Sequence, residues 1–216
     1  YINQGTPNTI DYVYAPQYST KFPKGLHDWV LLKDYNCDGK EDIFTYSYSG
    51  GMTVYRNDYT VSTGLKFNLA YTLVNSKYGP VTANLYVASV NLPALVDVDY
   101  DGDLDVLTFP VSGNFVEYHE NKGMELYNKC DTLVFQMNPT CFGNFGLSGL
   151  SNTGILNVGC RMAEPQPPVI DLENLHTMHS GSCMISVDID GDYDKDIING
   201  DILGSNLLLL INGGDS

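Results

Sequence analysis

The chain has 216 residues, with 26 acidic against 11 basic side chains and a formal net charge of −15. An acidic chain with no Lys/Arg cluster excludes non-specific nucleic-acid binding, which needs a basic face for phosphate, and no run approaches the roughly 18 apolar residues of a membrane helix. Its 21 Gly, 10 Pro and 16 Tyr, with few helix-periodic segments, point to an all-β protein with one substantial core.

In chain order, residues 10–14 alternate like the closing strand of an earlier unit. An apolar run at 29–32 leads into an acidic ladder at 34–42. Apolar runs follow at 43–46 and at 52–57, the latter ending in Asn57, and 66–74 reads as a fourth strand. The order then recurs: 94–96, a ladder at 97–105, 106–109, 115–121 ending in Asn121, and a fourth strand at 131–135. It recurs again as 184–187, a ladder at 188–196, 197–198 and 207–212 ending in Asn212. The runs are short and β-branched, aromatic or Leu-rich, which suits strands rather than helices. The repeated unit is strand, acidic loop, strand, turn, strand.

Each ladder places oxygen side chains at positions 1, 3, 5 and 9. Carboxylates packed so closely repel one another unless a cation sits among them, and hard oxygen donors at such spacing suit calcium. A single Asp-rich turn is ordinary, but three in the same phase with the same flanks are not. The EF-hand loop opens similarly but needs a bidentate Glu at position 12 and flanking helices. Position 12 here is Thr45, Thr108 and Asn199, which excludes it. The ladders hold 14 of the 26 acids, so the acidity belongs mainly to the sites.

The ladders start 63 and then 91 residues apart, which places an insertion or elaborated loop at about 128–179. That region carries Cys130, Cys141 and Cys160 close together, which suggests a disulfide among them and an oxidising compartment. The other cysteines are Cys37 and Cys183; the odd count leaves a thiol free or paired outside the chain, and the lack of CxxC spacing argues against zinc.

No nucleophile elbow, Walker loop, HExxH or GxGxxG occurs. Acids outside the ladders, among them Asp11, Asp28, Asp58, Glu117, Glu120, Glu125, Asp131, Glu164, Asp171 and Glu173, are scattered, with no pair of the kind a glycosidase needs. His176 and His179 beside Glu173 read as a polar loop rather than a transition-metal site. His27–Asp28 and His119–Glu120 are neighbours whose side chains, on strands, point to opposite faces. The expectation is a non-enzymatic chain.

The pattern D-x-[DN]-x-D-G-x-x-D followed by an apolar strand, complete at 34–42 and 97–105, resembles the FG-GAP/VCBS repeat, the calcium-bearing blade of integrin-α-like β-propellers. The resemblance spans about residues 26–216. It implies an all-β, propeller-type fold with about three blades, centred on the three loops. Three blades do not close a ring, so the chain is expected to be a partial propeller or a fragment whose remaining blades lie elsewhere in the parent protein.

In the family, positions 1, 3, 5 and 9 bind calcium through side chains and position 7 through its carbonyl. Carried over, site one is Asp34, Asn36, Asp38, Lys40 and Asp42; site two is Asp97, Asp99, Asp101, Asp103 and Asp105; site three is Asp188, Asp190, Asp192, Asp194 and Asp196. Asn36 lowers the charge of site one, which implies weaker binding than at site two. The third copy departs from the pattern: Tyr193 stands where glycine belongs and Gly191 comes two places earlier, a strain of about 1 kcal/mol if that position needs positive φ.

The resemblance further implies an extracellular or bacterial cell-surface protein, like FG-GAP proteins of the Bacteroidetes exported by the type IX route. The function it implies is a calcium-stabilised binding, adhesion or secretion-assembly module with a protein or glycan partner. The alternative is an accessory domain of a secreted carbohydrate-active enzyme.

Overall fold

The computed structural model describes residues 1–111, 113–139, 141–148, 152–158, 181–202 and 204–213. The acidic ladders are too charged to lie within a sheet, so each becomes the connection between two strands built from the apolar runs beside it. The protein is all-β, and the described residues form five sheets.

β1 (Ile2–Asn3) and β2 (Tyr12–Val13) pair only with each other in a short ribbon. Residues 10–14 are exposed throughout and do not close a larger sheet as expected, because they have no buried face to hold them there. β3 (Val30–Lys33), β4 (Asp42–Ser47), β5 (Gly51–Asn57) and β6 (Phe67–Tyr71) form an antiparallel four-stranded sheet in chain order, as the repeated unit requires.

The second unit is larger than expected. After the hairpin of β7 (Asn75–Tyr78) and β8 (Val81–Asn84) come β9 (Ala94–Val96), β10 (Asp105–Thr108), β11 (Glu117–Asn121), a five-residue helix α1 (Gly123–Tyr127) and β12 (Phe135–Met137). β12 pairs antiparallel with β11 and parallel with β7, giving a six-stranded sheet in the order β8-β7-β12-β11-β10-β9. The open edge of β12 is thus covered by the hairpin, which removes unpaired backbone groups.

β13 (Phe145–Leu147) and β14 (Gly154–Leu156) form a ribbon of their own inside the region read as an insertion. Residues 159–180 of that region, with Cys160, Glu164, Asp171, Glu173, His176 and His179, lie outside the described residues. The third unit is an antiparallel sheet of β15 (Ser182–Val187), β16 (Asp196–Asp201) and β17 (Leu207–Leu210). Among the described residues no sheet closes on itself.

The strand period of two decides how the units stack. One core contains Phe44, Met52 and Val54 from the first unit with Leu95, Val106 and Phe135 from the second. The other contains Ala94, Leu107, Val116 and Tyr118 from the second with Met184, Ile197 and Leu208 from the third. Neighbouring residues Val106 and Leu107 therefore face opposite cores. In the third unit, the residues matching Phe44, Met52 and Val54 are Ile198, Leu207 and Leu209; the last two are 71% and 51% exposed, and Ile185 beside them is 59% exposed. Among the described residues nothing packs over that apolar face.

Candidate metal centre

The three loops, residues 34–42, 97–105 and 188–196, share one backbone. Positions 4 and 6 are left-handed in each: Cys37 and Gly39, Tyr100 and Gly102, Gly191 and Tyr193, with φ between 57° and 101°. Tyr193 does occupy a positive-φ position, at 71°. Loop 3 has exchanged which of the two positions carries glycine and kept the conformation. Each loop holds one glycine and one residue strained by about 1–2 kcal/mol.

Hydrogen bonds repeat with the backbone. The position-1 carboxylate accepts the N–H of position 6: Gly39 to Asp34 at 2.8 Å, Gly102 to Asp97 at 3.1 Å and Tyr193 to Asp188 at 3.2 Å. One oxygen of the position-9 carboxylate accepts the N–H of position 2: Tyr35 to Asp42 at 3.2 Å, Val98 to Asp105 at 2.8 Å and Ile189 to Asp196 at 2.7 Å. Its other oxygen accepts the N–H of the asparagine that ends the third apolar run: Asn57, Asn121 and Asn212, at 2.7–2.8 Å. Position 9 closes the loop and locks it to a strand that the chain reaches only later.

The loops also lie side by side. The Cys37 sulfur approaches the Gly102 carbonyl at 3.7 Å, and the Lys195 ammonium sits 3.6 Å from the centre of the Tyr100 ring. Cys37 is bonded to Cys130, just past α1. Proximity in sequence singled out Cys130, Cys141 and Cys160 and did not show the partner of Cys130, which is Cys37 because loop 1 folds against loop 2 and its helix. Cys141 is also disulfide-bonded, and Cys183 is free and exposed.

Oxygens converge in loops 2 and 3. Asp97, Asp99 and Asp101 each offer one within 4.8 Å of the others, as do Asp188, Asp190 and Asp196. No such acidic triplet includes loop 1 among the described residues. There position 3 is Asn36, and the Lys40 ammonium already lies 2.5 Å from Asp38. Asp97 Oδ1, Asp101 Oδ2, Asp103 Oδ1 and both Asp194 oxygens are buried with no donor in reach. Buried acceptors left without donors are costly, and an all-oxygen set of this kind fits a hard divalent cation.

Electrostatics agree. Burial pushes the Asp105 carboxyl up to about 8 against the backbone N–H groups of Asn121 and Val98, with Asp99 and Asp103 adding repulsion. Burial raises Asp103 to about 6, and Asp42 to about 6 with help from Asp38 and Asp34. Burial, aided by neighbouring carboxylates, also raises Asp99 and Asp101. At Asp38 burial pulls upward, but the Lys40 ammonium outweighs it and the carboxyl ends below its usual value.

Two acids read as scattered belong here. Glu120 and Glu125 each lie with Asp99 in one oxygen triplet, and Glu125 also lies with Asp101 and Asp103 in another. The bond from Asn121 to Asp105 sets them there. His119 points the other way, as expected of a strand neighbour of Glu120. Its Nδ1 is 2.8 Å from Ser76 Oγ and its Nε2 3.3 Å from Glu117. Ser76 and His119 are at most 1% exposed, so this serine–histidine–glutamate chain is a core polar network. His27 and Asp28 do not diverge across a strand as expected: Asp28 is left-handed, and its carboxylate meets His27 Nδ1 at 2.7 Å.

No family model matches the chain, and no curated protein or solved structure matches it.

Proposed function

We propose that the chain is a calcium-stapled stack of FG-GAP/VCBS-type blades that acts outside the cell as a non-catalytic binding or adhesion module. The observation that carries this reading is the threefold loop: one backbone, one hydrogen-bond pattern, and buried carboxylate oxygens without donors in two copies. Calcium supplies the positive charge that lets such carboxylates stay ionised together. The chain's own residues do the rest. Positions 1 and 9 fix the loop backbone, and Asn57, Asn121 and Asn212 tie each loop to its sheet.

Two features support the wider reading. The Cys37–Cys130 disulfide suits an oxidising compartment. The uncovered face of Ile185, Leu207 and Leu209 repeats the positions that bury against the following unit elsewhere, as blade-on-blade stacking requires. An ion that binds only the ordered loops stabilises the fold by mass action. Thermal melts in millimolar calcium and in EDTA test this. The expected gain with calcium is about 5 °C or more; a gain below about one degree overturns the staple. A glycan array and surface pull-downs with the calcium-loaded chain then test the binding role.

A further inference from the structure

Loops 1 and 2 differ at position 7, and the difference sets their charge in opposite directions. In loop 1 the residue is Lys40, whose ammonium serves the position-5 carboxylate, Asp38. In loop 2 it is Asp103, which is 2% exposed. Asp103 Oδ2 accepts the N–H of Met124 at 2.9 Å, while Oδ1 is buried with no donor in reach. The position-5 carboxylate beside it, Asp101, has a buried oxygen in the same condition.

Glu125 of α1 completes the arrangement. One oxygen each from Asp101, Asp103 and Glu125 lies within 4.8 Å of the others, and so does one each from Asp99, Glu120 and Glu125. The close approach of α1 depends on Gly123: a Cβ there would meet Asp103 Oδ2 at 3.0 Å and the carbonyls of Lys129 and Thr132 at 2.9 Å. Lys122 contacts Glu120 and lies 2.7 Å from Glu125, one positive charge for five carboxylates. The loop's own triplet, Asp97, Asp99 and Asp101, leaves Asp103 and Glu125 unused.

We propose that loop 2 holds a second divalent, oxygen-preferring cation beside the loop's own, ligated by Asp101, Asp103 and Glu125 with Asp99 and Glu120 alongside. Asp101 bridges the two ions. The second ion fills the role that Lys40 fills in loop 1, and it joins the loop to α1 and hence to the strand that α1 follows. This extends the metal reading of loop 2 by one ion.

Metal-stripped full-length chain titrated with calcium chloride, with bound ions counted by native mass spectrometry and affinities read by calorimetry, tests the proposal. Wild type should bind one ion more than Glu125→Gln, or bind one ion about tenfold or more tighter. Asp97→Asn, which touches only the loop's own triplet, reports on the first ion. If Asp97→Asn loses an ion while Glu125→Gln matches wild type, the second ion is overturned and the loop reading stands. If neither variant loses an ion or weakens one by about tenfold, both readings fail for loop 2. An extra ion that appears only in Lys122→Met would show that Lys122 is the whole counter-charge and would also overturn the proposal. Glu125 is exposed and the replacement is isosteric, so circular dichroism should show an unchanged fold.

Discussion

The Asp105 carboxylate accepts the backbone N–H of Asn121, sixteen residues later, at 2.7 Å, while its other oxygen holds the N–H of Val98. The same fork joins Asp42 to Asn57 and Tyr35, and Asp196 to Asn212 and Ile189. One side chain therefore folds its loop and docks that loop on a strand.

Asp105→Ala leaves the buried N–H of Asn121 and the partly buried N–H of Val98 without an acceptor. We expect a loss of about 2–4 kcal/mol by urea denaturation, with or without calcium. Asp105→Asn removes the buried charge but keeps only one acceptor, so its NH2 faces the other N–H. In EDTA at pH 8 it should be destabilised less than Asp105→Ala, and its gain on adding calcium should shrink.

The pH dependence should reverse with calcium. In EDTA the folded Asp105, with its carboxyl at about 8, and Asp42 and Asp103, at about 6, hold protons that the unfolded chain has released above about 4. Folding then takes up protons between about pH 4 and pH 8, so stability rises as the pH falls through that window. We expect a Tm about 5 °C or more higher at pH 5 than at pH 8 without metal. With calcium the bound state needs the ionised carboxylates, so the Tm should fall over the same range. Parallel curves would contradict this.

Loop 1 should be limited by Lys40 as well as by Asn36. Lys40→Met frees Asp38 from the ammonium, and Asn36→Asp restores a fourth carboxylate to Asp34, Asp38 and Asp42. Each should tighten calcium at loop 1, together by about tenfold or more, in calorimetry on a background with loops 2 and 3 disabled. Weaker binding in the Lys40→Met variant would contradict the assignment.

Tyr193 is 75% exposed and left-handed, so its side chain costs strain and buries little. Tyr193→Gly should stabilise the protein by about 0.5–1 kcal/mol, the relief of strain exceeding the added freedom of the unfolded chain. Gly191→Ala, at the other left-handed position, should destabilise by a similar amount. Equal effects of the same sign would rule out a shared backbone.

Much of the site was legible because it is local. A ladder of period two bends around its own position-1 and position-9 carboxylates, so the residue types within nine positions are enough to reveal it. The asparagine ending each third strand was visible too, although its role as the partner of position 9 was not. Glu125 was not legible: nothing in its neighbours marks it, and only the docking of β11 on Asp105 brings α1 beside Asp103.

The same division runs through the whole chain. The sequence by itself determined the all-β class, the three acidic loops and the order of the strands that flank each loop, since all of these follow from local chemistry and side-chain alternation. Only the tertiary structure decided the Cys37–Cys130 bond, the parallel seat of β7 against β12, the stacking of one unit on the next and the acidic cluster around α1. Those depend on contacts between residues far apart in the chain, where packing and edge pairing choose among partners that the sequence leaves equivalent.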